Sequence, residues 1–399
     1  FQYRQKVILL WQTLDGVDLC LYCMYTQEYG DDNPMPNRRV SYLSYLDSVK
    51  YMKPEGITAA GRNVALRTYV YHELLIGYLD YLRSRGFHQM LIWACPPSQG
   101  DDYILYAHPK TQKNPALPKL REWYFKMLRK AFESSIVKRV SNLYDTYFEG
   151  GKDHRLERVS AVDLPYFEGD YWPGVAEVML KTIDEEKKAA ATGTKKAQTK
   201  KGSRSKMSKG KIANVGGATT DEQLMTKLGD AISGAACNKE DLMVVHLQHV
   251  CCICRTCIHN GTRYYSDSPF GSGSERRFEG IKLDSSTSNG GMSGFELCDN
   301  CYQSEIARSV AQGGPSSTRN RSLPGGISVH DLKSEHIPEL PATIEESDGD
   351  IECEIFNTRQ QFLSLCQGNH YQFDTTRRTR HSSMMVLYHL HNPSAPAFA

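Results

Sequence analysis

Net charge is nearly absent from this chain: 48 lysines and arginines face 46 aspartates and glutamates, leaving +2 at pH 7 over 399 residues. That balance excludes a protein that coats nucleic acid through bulk charge, and any basic surface has to come from local clustering. Also missing are a run approaching the ~18 uninterrupted apolar residues of a membrane-spanning helix and an opening signal-peptide pattern. These absences point to a soluble, intracellular protein. No glycine-rich pyrophosphate loop stands between a strand and a helix, so phosphates would have to be met by side-chain cations such as Arg67, Lys113 and Lys119. A dispersed disulfide framework is lacking too. Of twelve cysteines, Cys251, Cys252, Cys254, Cys257, Cys298 and Cys301 crowd one region and the rest are scattered singly, which suits reduced thiols and a metal. The chain opens at Phe1, without methionine and in mid-pattern, and is expected to be an excerpt of something longer.

What is present is organised around the stretch from Leu91 to Tyr103 and the Arg121-Glu122-Trp123-Tyr124 that follows it. The apolar run Leu91-Ile92-Trp93-Ala94 stops at Pro96-Pro97, the mark of a buried strand emptying into a loop, where open α/β sheets place their chemistry. That loop carries Tyr103, His108, Lys113 and Lys119, a composition suited to an anionic ligand, and Pro118 is placed to open a helix. Upstream, Lys6–Leu10 and Val17–Tyr25 read as strands around a Leu14-Asp15-Gly16 turn, and Val40–Met52 repeats the strand character. Pro54–Asn63 reads as a polar loop. Leu66–Arg85 has helical spacing and closes on Gly86, so strand, helix and the Leu91 strand make one crossover unit. A second helical pattern runs from Trp123 to Val140.

Beyond it, Leu164–Pro173 alternates aromatic residues with Glu168 and Asp170 between two prolines, as expected of a rigid loop lining a site. Thr220–Ile232 reads as a short helix, Met243–Gln248 as a strand, Ser266–Gly294 as a Gly/Ser-rich loop and Gly313–Pro341 as a linker. Phe362-Leu363-Ser364-Leu365 and Met384–Tyr388 look core-forming. The expected fold is α/β, a central mixed β-sheet flanked by helices with a small zinc-binding insert.

Cys254-Arg255-Thr256-Cys257 and Cys298-Asp299-Asn300-Cys301 are two Cys-x-x-Cys knuckles, the ligand set of a closed tetrahedral zinc site that serves folding and partner binding. Cys251 with Cys254 has the same spacing as Cys254 with Cys257, so the register of the first knuckle stays open. His330 and His336 follow, but no further cysteine pair lies between the knuckles to complete a second site.

Tyr45-Leu46-Asp47-Ser48-Val49, Leu66–Glu73, Ile92–Tyr103 and Arg121–Tyr124 together resemble the catalytic domain of the CREB-binding-protein family of histone acetyltransferases. Asp221–Met225 and Cys366–Tyr371 resemble its plant branch. The resemblance covers residues 1 to about 185 and 351–399, and only partly the cysteine insert, which is similar to a ZZ-type finger.

It implies an acetyltransferase-like core (1–185, continuing at 216–249 and 341–399), a lysine-rich autoregulatory loop (186–215) and a zinc insert with linker (250–340). It also implies acetyl-CoA against Leu46, Asp47, Ser48, Arg67, Thr68, Tyr71, Trp93, Cys95, Pro96, Pro97, Tyr103, Lys113, Lys119 and Trp123, with Tyr124 as the catalytic tyrosine and Trp93 shaping a lysine tunnel. Lys119 replaces the family's usual arginine, keeping charge but losing the bidentate fork. The loop around Gly56–Asn63 is longer than the family's. Glu168 and Asp170 would attract lysine-bearing tails. The implied setting is nuclear, with histone tails, other lysine-rich proteins and transcription factors as partners, no membrane, and no need for direct nucleic-acid contact. The competing expectation is a catalytically silent chromatin or transcription-factor scaffold using the insert.

Lys187–Lys211 holds nine lysines and no acid, too little apolar surface to fold alone. Tethered beside an acidic substrate mouth, it would block basic substrates until acetylation of Lys195, Lys196, Lys200 or Lys201 removed charge. Deleting residues 187–211 is expected to raise the initial acetylation rate above that of the deacetylated full chain. No rise on deletion, and none in the intact chain after preincubation with acetyl-CoA, makes the segment a linker.

Overall fold

Strand β1 (Arg4–Leu14) turns through Asp15 and Gly16, both at positive φ, into β2 (Val17–Tyr29), the two-residue hairpin expected from the sequence. A register shift opposite Leu10 and Trp11 leaves one extra residue, Leu21, in β2. Leu19 to Tyr29 are all buried, which requires cover on both faces of the strand. The computed structural model describes residues 1–59, 61–98, 100–143, 146, 164–169, 239–254, 256–266, 295–311, 323, 328–339 and 351–392. The lysine-rich stretch Lys187–Lys211, the helix expected at Thr220–Ile232, and Asp170 lie outside these residues, as does nearly all of the Ser266–Gly294 loop.

The hairpin is the start of a six-stranded mixed sheet with β3 (Val40–Ser48), β6 (Gln89–Trp93), β7 (Arg139–Asn142) and β8 (Leu242–His246), in the order β1-β2-β3-β6-β8-β7. Only β3 and β6 pair in parallel; every other neighbour is antiparallel. The parallel pair requires a crossover, supplied by α1 (Leu66–Ser84). Its end is a Schellman motif: Gly86 has φ +83°, its N–H donates to Arg83 O at 3.0 Å, and Phe87 N–H donates to Leu82 O at 3.0 Å. Helix α2 (Leu117–Glu133), with Pro118 in its first turn, connects β6 to β7.

Several expectations need correction. The second helix stops at Glu133 rather than reaching Val140, because Ser135 adopts φ +59° and the N–H groups of Ser135 and Ile136 cap the Phe132 and Ala131 carbonyls. Residues 139–142 are then free to form the edge strand β7. Within the supposed loop Pro54–Asn63, β4 (Gly56–Ala59) pairs with β5 (Arg62–Ala65). The supposed linker contains β13 (Lys333–Ile337), which completes a three-stranded sheet with β11 (Gly261–Tyr265) and β12 (Glu296–Cys298). A small hairpin of β9 (His249–Val250) and β10 (Cys257–Ile258) and the helix α3 (Asp299–Ala311) complete the insert. Arg263 joins these pieces, donating to Glu296 at 2.9 Å and to Glu335, and lying 2.7 Å from His249 Nδ1.

After the insert, α4 (Arg359–Gly368) and α5 (Thr376–His391) return to the main core. Thr358 and Thr375 cap them by accepting from Gln361 N–H and Arg378 N–H. Phe362, Cys366 and Val386 enter the same apolar cluster as Leu75, Leu79, Met127 and Leu128, and Ser383 Oγ accepts from Cys20 N–H of β2 at 2.9 Å. Met384 and Tyr388, expected in the core, are exposed. No helix of the described residues is long and apolar enough to cross a membrane.

Leu128, fully buried, ties α2 to the sheet. Leu128→Ala is expected to lower unfolding free energy by about 2–5 kcal/mol in urea titration, through lost burial and the cavity left behind.

Candidate active site and metal centre

Because β3 and β6 run in parallel, their C-terminal ends lie at one edge of the sheet, and α1 and α2 begin near that edge. Nearly all the residues expected to meet acetyl-CoA follow from this: Leu46, Asp47 and Ser48 end β3, Arg67, Thr68 and Tyr71 open α1, and Trp93 ends β6. Cys95, Pro96, Pro97, Tyr103 and Lys113 lie in the β6–α2 connection, and Lys119, Trp123 and Tyr124 in the first turns of α2. Arg67, Cys95, Lys113 and Lys119 are exposed, whereas Tyr71 and Tyr124 are buried. Exposed cations and buried aromatic rings thus come from the same elements, α1, α2 and the connection before α2.

Tyr124 is packed edge-on against Trp123, ring centroids 5.1 Å apart, and Trp123 rests on His72 of α1 at 4.5 Å. Burial pushes the His72 pKa down to about 4, so the imidazole is neutral at pH 7. Burial pushes the Tyr124 hydroxyl well above its ordinary value, so it carries its proton across the physiological range. Tyr71 is pushed up to about 12, chiefly by burial. Its ring packs 4.8 Å from Tyr22. Tyr103 donates to Cys95 O at 3.2 Å, and its ring meets Tyr45 edge-on at 6.0 Å.

Two residues that sequence reasoning left unassigned hold this edge together. Asp241, fully buried, accepts from Arg121 Nε of α2 at 2.7 Å, while its carbonyl accepts from Ala94 N–H at the end of β6 at 2.7 Å. Arg359, at the start of α4, donates to Tyr103 O at 2.8 Å and lies over the Tyr45 ring at 4.6 Å. Neither carries a local signal: each meets its partner only across the fold.

Glu168 sits elsewhere, in residues 164–169, which lie against the opposite, N-terminal end of β3 and the adjoining part of β2. Gln27 and Asn37 hold that segment as a strand would. Gln27 Nε2 donates to Glu168 O at 2.8 Å and Gln27 Oε1 accepts from Glu168 N–H at 3.1 Å, while Asn37 pairs in the same way with the Tyr166 backbone at 2.6 and 2.9 Å. Phe167 stacks on Tyr42 at 4.4 Å, leaving the Glu168 carboxylate exposed.

Four thiols converge in the insert: the sulfurs of Cys251, Cys254, Cys298 and Cys301 all lie within 4.8 Å of one another. Cys257, expected as a ligand, is outside this group, and Cys251 takes its place. The reason is local: residues 252–254 form a turn that brings positions 251 and 254 together, whereas Cys257 has entered β10, paired with Val250. Cys298 ends β12 and Cys301 lies in the first turn of α3, the same strand-to-turn arrangement. Zinc–sulfur bonds of ~2.3 Å at tetrahedral angles place sulfurs about 3.8 Å apart. Cys254 and Cys298 sulfurs are 3.7 Å apart, so the donor set fits zinc. His330, 3.2 Å from Ser309 Oγ, and His336, on β13, are outside the thiol group. Cys251→Ser is expected to abolish stoichiometric zinc in the purified chain by atomic emission, while Cys257→Ser retains it; the opposite pattern restores the other register.

The profile of the family described as "Histone acetyltransferase domain KAT3" matches residues 1–249, ending where the cysteine insert begins. Histone acetyltransferase HAC12 of Arabidopsis thaliana is 45% identical over 400 residues, covering 100% of this chain and 21% of that protein. Probable histone acetyltransferase HAC-like 1 of Oryza sativa subsp. japonica is 45% identical over 402 residues, 100% of this chain and 22% of that protein. Protein cbp-1 of Caenorhabditis elegans is 42% identical over 186 residues, 47% of this chain and 8% of that protein. The chain thus spans about a fifth of the length of the two plant relatives. With a family match over most of its length and plant relatives aligned along all of it, the chain belongs to the KAT3 family of histone acetyltransferase domains.

Proposed function

We propose that this chain transfers the acetyl group of acetyl-CoA to lysine side chains of histone tails and other lysine-rich proteins in the nucleus, with Tyr124 as general acid. The observation that carries the reading is a buried, protonated tyrosine at the start of α2, at the same sheet edge as the exposed cations Arg67, Lys113 and Lys119.

Acetyl-CoA is already an activated thioester, so the protein's task is to deliver a neutral amine, align it and protonate the leaving sulfur. The lysine nitrogen attacks the thioester carbonyl and forms the amide bond; the carbon–sulfur bond breaks, and the sulfur takes the Tyr124 hydroxyl proton. The amine's surplus proton passes to solvent and, in turn, restores the phenol. Arg67, Lys113 and Lys119 hold the phosphates as point charges and forks, Trp123 completes the cofactor surface, Trp93 shapes the acceptor's path, and Glu168 with Asp170 draws cationic tails by long-range attraction. Such weak steering suits a brief encounter between the acetyl-CoA complex and the peptide. Cys251, Cys254, Cys298 and Cys301 would hold a structural zinc ion, which supplies folding energy to the insert and no open coordination position for chemistry. Binding of transcription factors and a coactivator role belong to the same proposal.

Tyr124→Phe keeps the ring and removes the acid. It is expected to lower kcat on a histone peptide by ~10²–10⁴ while acetyl-CoA affinity changes little. An unchanged rate rejects Tyr124 as the acid, and a wild-type chain that binds acetyl-CoA without turnover is instead a scaffold.

A further inference from the structure

We infer that His108 is a positioning residue for the acetyl-CoA site: as an imidazolium it joins the carboxylates of Asp47 and Asp102 and thereby holds the β6–α2 connection in its cofactor-facing shape. The inference rests on the acetyl-CoA reading above and gives Asp47 a different task from direct contact.

Asp47 is buried at the end of β3, and its carboxylate is already occupied. Oδ1 accepts from Ser48 N–H at 2.8 Å and lies 2.7 Å from His108 Nε2, while Oδ2 accepts from Ile104 N–H and Leu105 N–H, both at 2.9 Å. Four donors from the protein match the roughly four acceptor sites of a carboxylate. Asp47 therefore acts on the cofactor through the shape of the connection, in which Ile104 and Leu105 directly follow Tyr103.

The other imidazole nitrogen, Nδ1, lies 3.0 Å from Asp102 Oδ1, which also accepts from Ala107 N–H at 3.1 Å. A neutral imidazole has one donor and one acceptor nitrogen, so with a carboxylate at each it would point a lone pair at an anion; only the doubly protonated ring satisfies both contacts. The charged groups facing the ring are Asp47 from β3 and Asp102 from the connection itself, while Arg359 reaches in from α4 to the Tyr103 and Asp102 carbonyls. Burial opposes the charge, but the two carboxylates outweigh it and push the pKa up to about 10. Backbone geometry needs the same latch: Ala107 has φ +60°, unusual for a residue with a side chain, and its N–H is spent on Asp102.

The test compares wild type, His108→Gln, Asp102→Asn and the double variant by calorimetric titration with acetyl-CoA, histone-peptide kinetics and imidazole NMR. Wild type is expected to show both His108 nitrogens protonated at pH 8. His108→Gln should weaken acetyl-CoA about tenfold or more, ~1.4 kcal/mol per decade, with the peptide KM within about twofold. The double variant should recover most of that affinity, since removing one carboxylate removes the need for the cation; a residue that merely packs would not be rescued this way. Should His108→Gln fail to fold, Asp102→Asn carries the test, with His108 expected to titrate at lower pH than in wild type.

The stability that His108 contributes is fully present below its unfolded pKa of ~6.5 and is lost as pH rises through about 10. The gap in stability between wild type and His108→Gln should therefore narrow across that window. A neutral His108 at pH 7, or wild-type affinity in His108→Gln, overturns the inference. A wild-type chain that binds no acetyl-CoA overturns the functional reading itself, whatever the NMR shows.

Discussion

The parallel pairing of β3 with β6 is the constraint on which the rest depends. Two parallel strands cannot be joined by a tight turn, so α1 must cross over the sheet between them, and both strands then end at the same edge. Residues far apart in sequence, Asp47 and Trp93, are delivered to that edge by backbone hydrogen bonding alone. The antiparallel strands on either side widen the sheet, and β2 is buried from Leu19 to Tyr29, so the edge is anchored in apolar packing.

On that anchor the connection after β6 is held by charge. Asp241 fastens its start and the helix that follows, Asp47 and His108 fasten its middle, and Arg359 with Phe373 N–H, which donates to Tyr106 O at 2.9 Å, fastens it to the C-terminal helices. Buried carboxylates are costly unless paired, and each here is paired to a cation or to backbone N–H groups. The C-terminal helices, separated from the core strands by the whole insert, are thus part of the site's support. The insert has its own apolar cluster around Phe295, Leu297 and Ile337 and its own four-thiol centre, which gives it two sources of order.

Much of the fold was legible in the amino acids because local chemistry dictates it. Asp15-Gly16 makes a hairpin turn, Gly86 ends a helix, Pro118 opens one, and the apolar run before Pro96 makes a buried strand. The end of α2 was not, because Ser135 occupies a left-handed conformation that residues other than glycine adopt infrequently. Nor was β13, whose five residues include a lysine, a glutamate and a histidine, and which is a strand only because β11 offers it a partner.

The candidate site divides in the same way. Sequence by itself determined which residue types were on hand: cations and aromatic rings around a Pro-Pro loop, a tyrosine after a tryptophan, and cysteines three apart. Tertiary structure decided what each of them does. Cys251 displaces Cys257 as the first knuckle's partner because a turn, and not a strand, joins it to Cys254. Asp47 turns its carboxylate to the protein because the 104–105 backbone and His108 arrive there from another element. Spacing along a chain is local information, whereas ligand choice and hydrogen-bond partnership depend on distances that only the folded backbone sets.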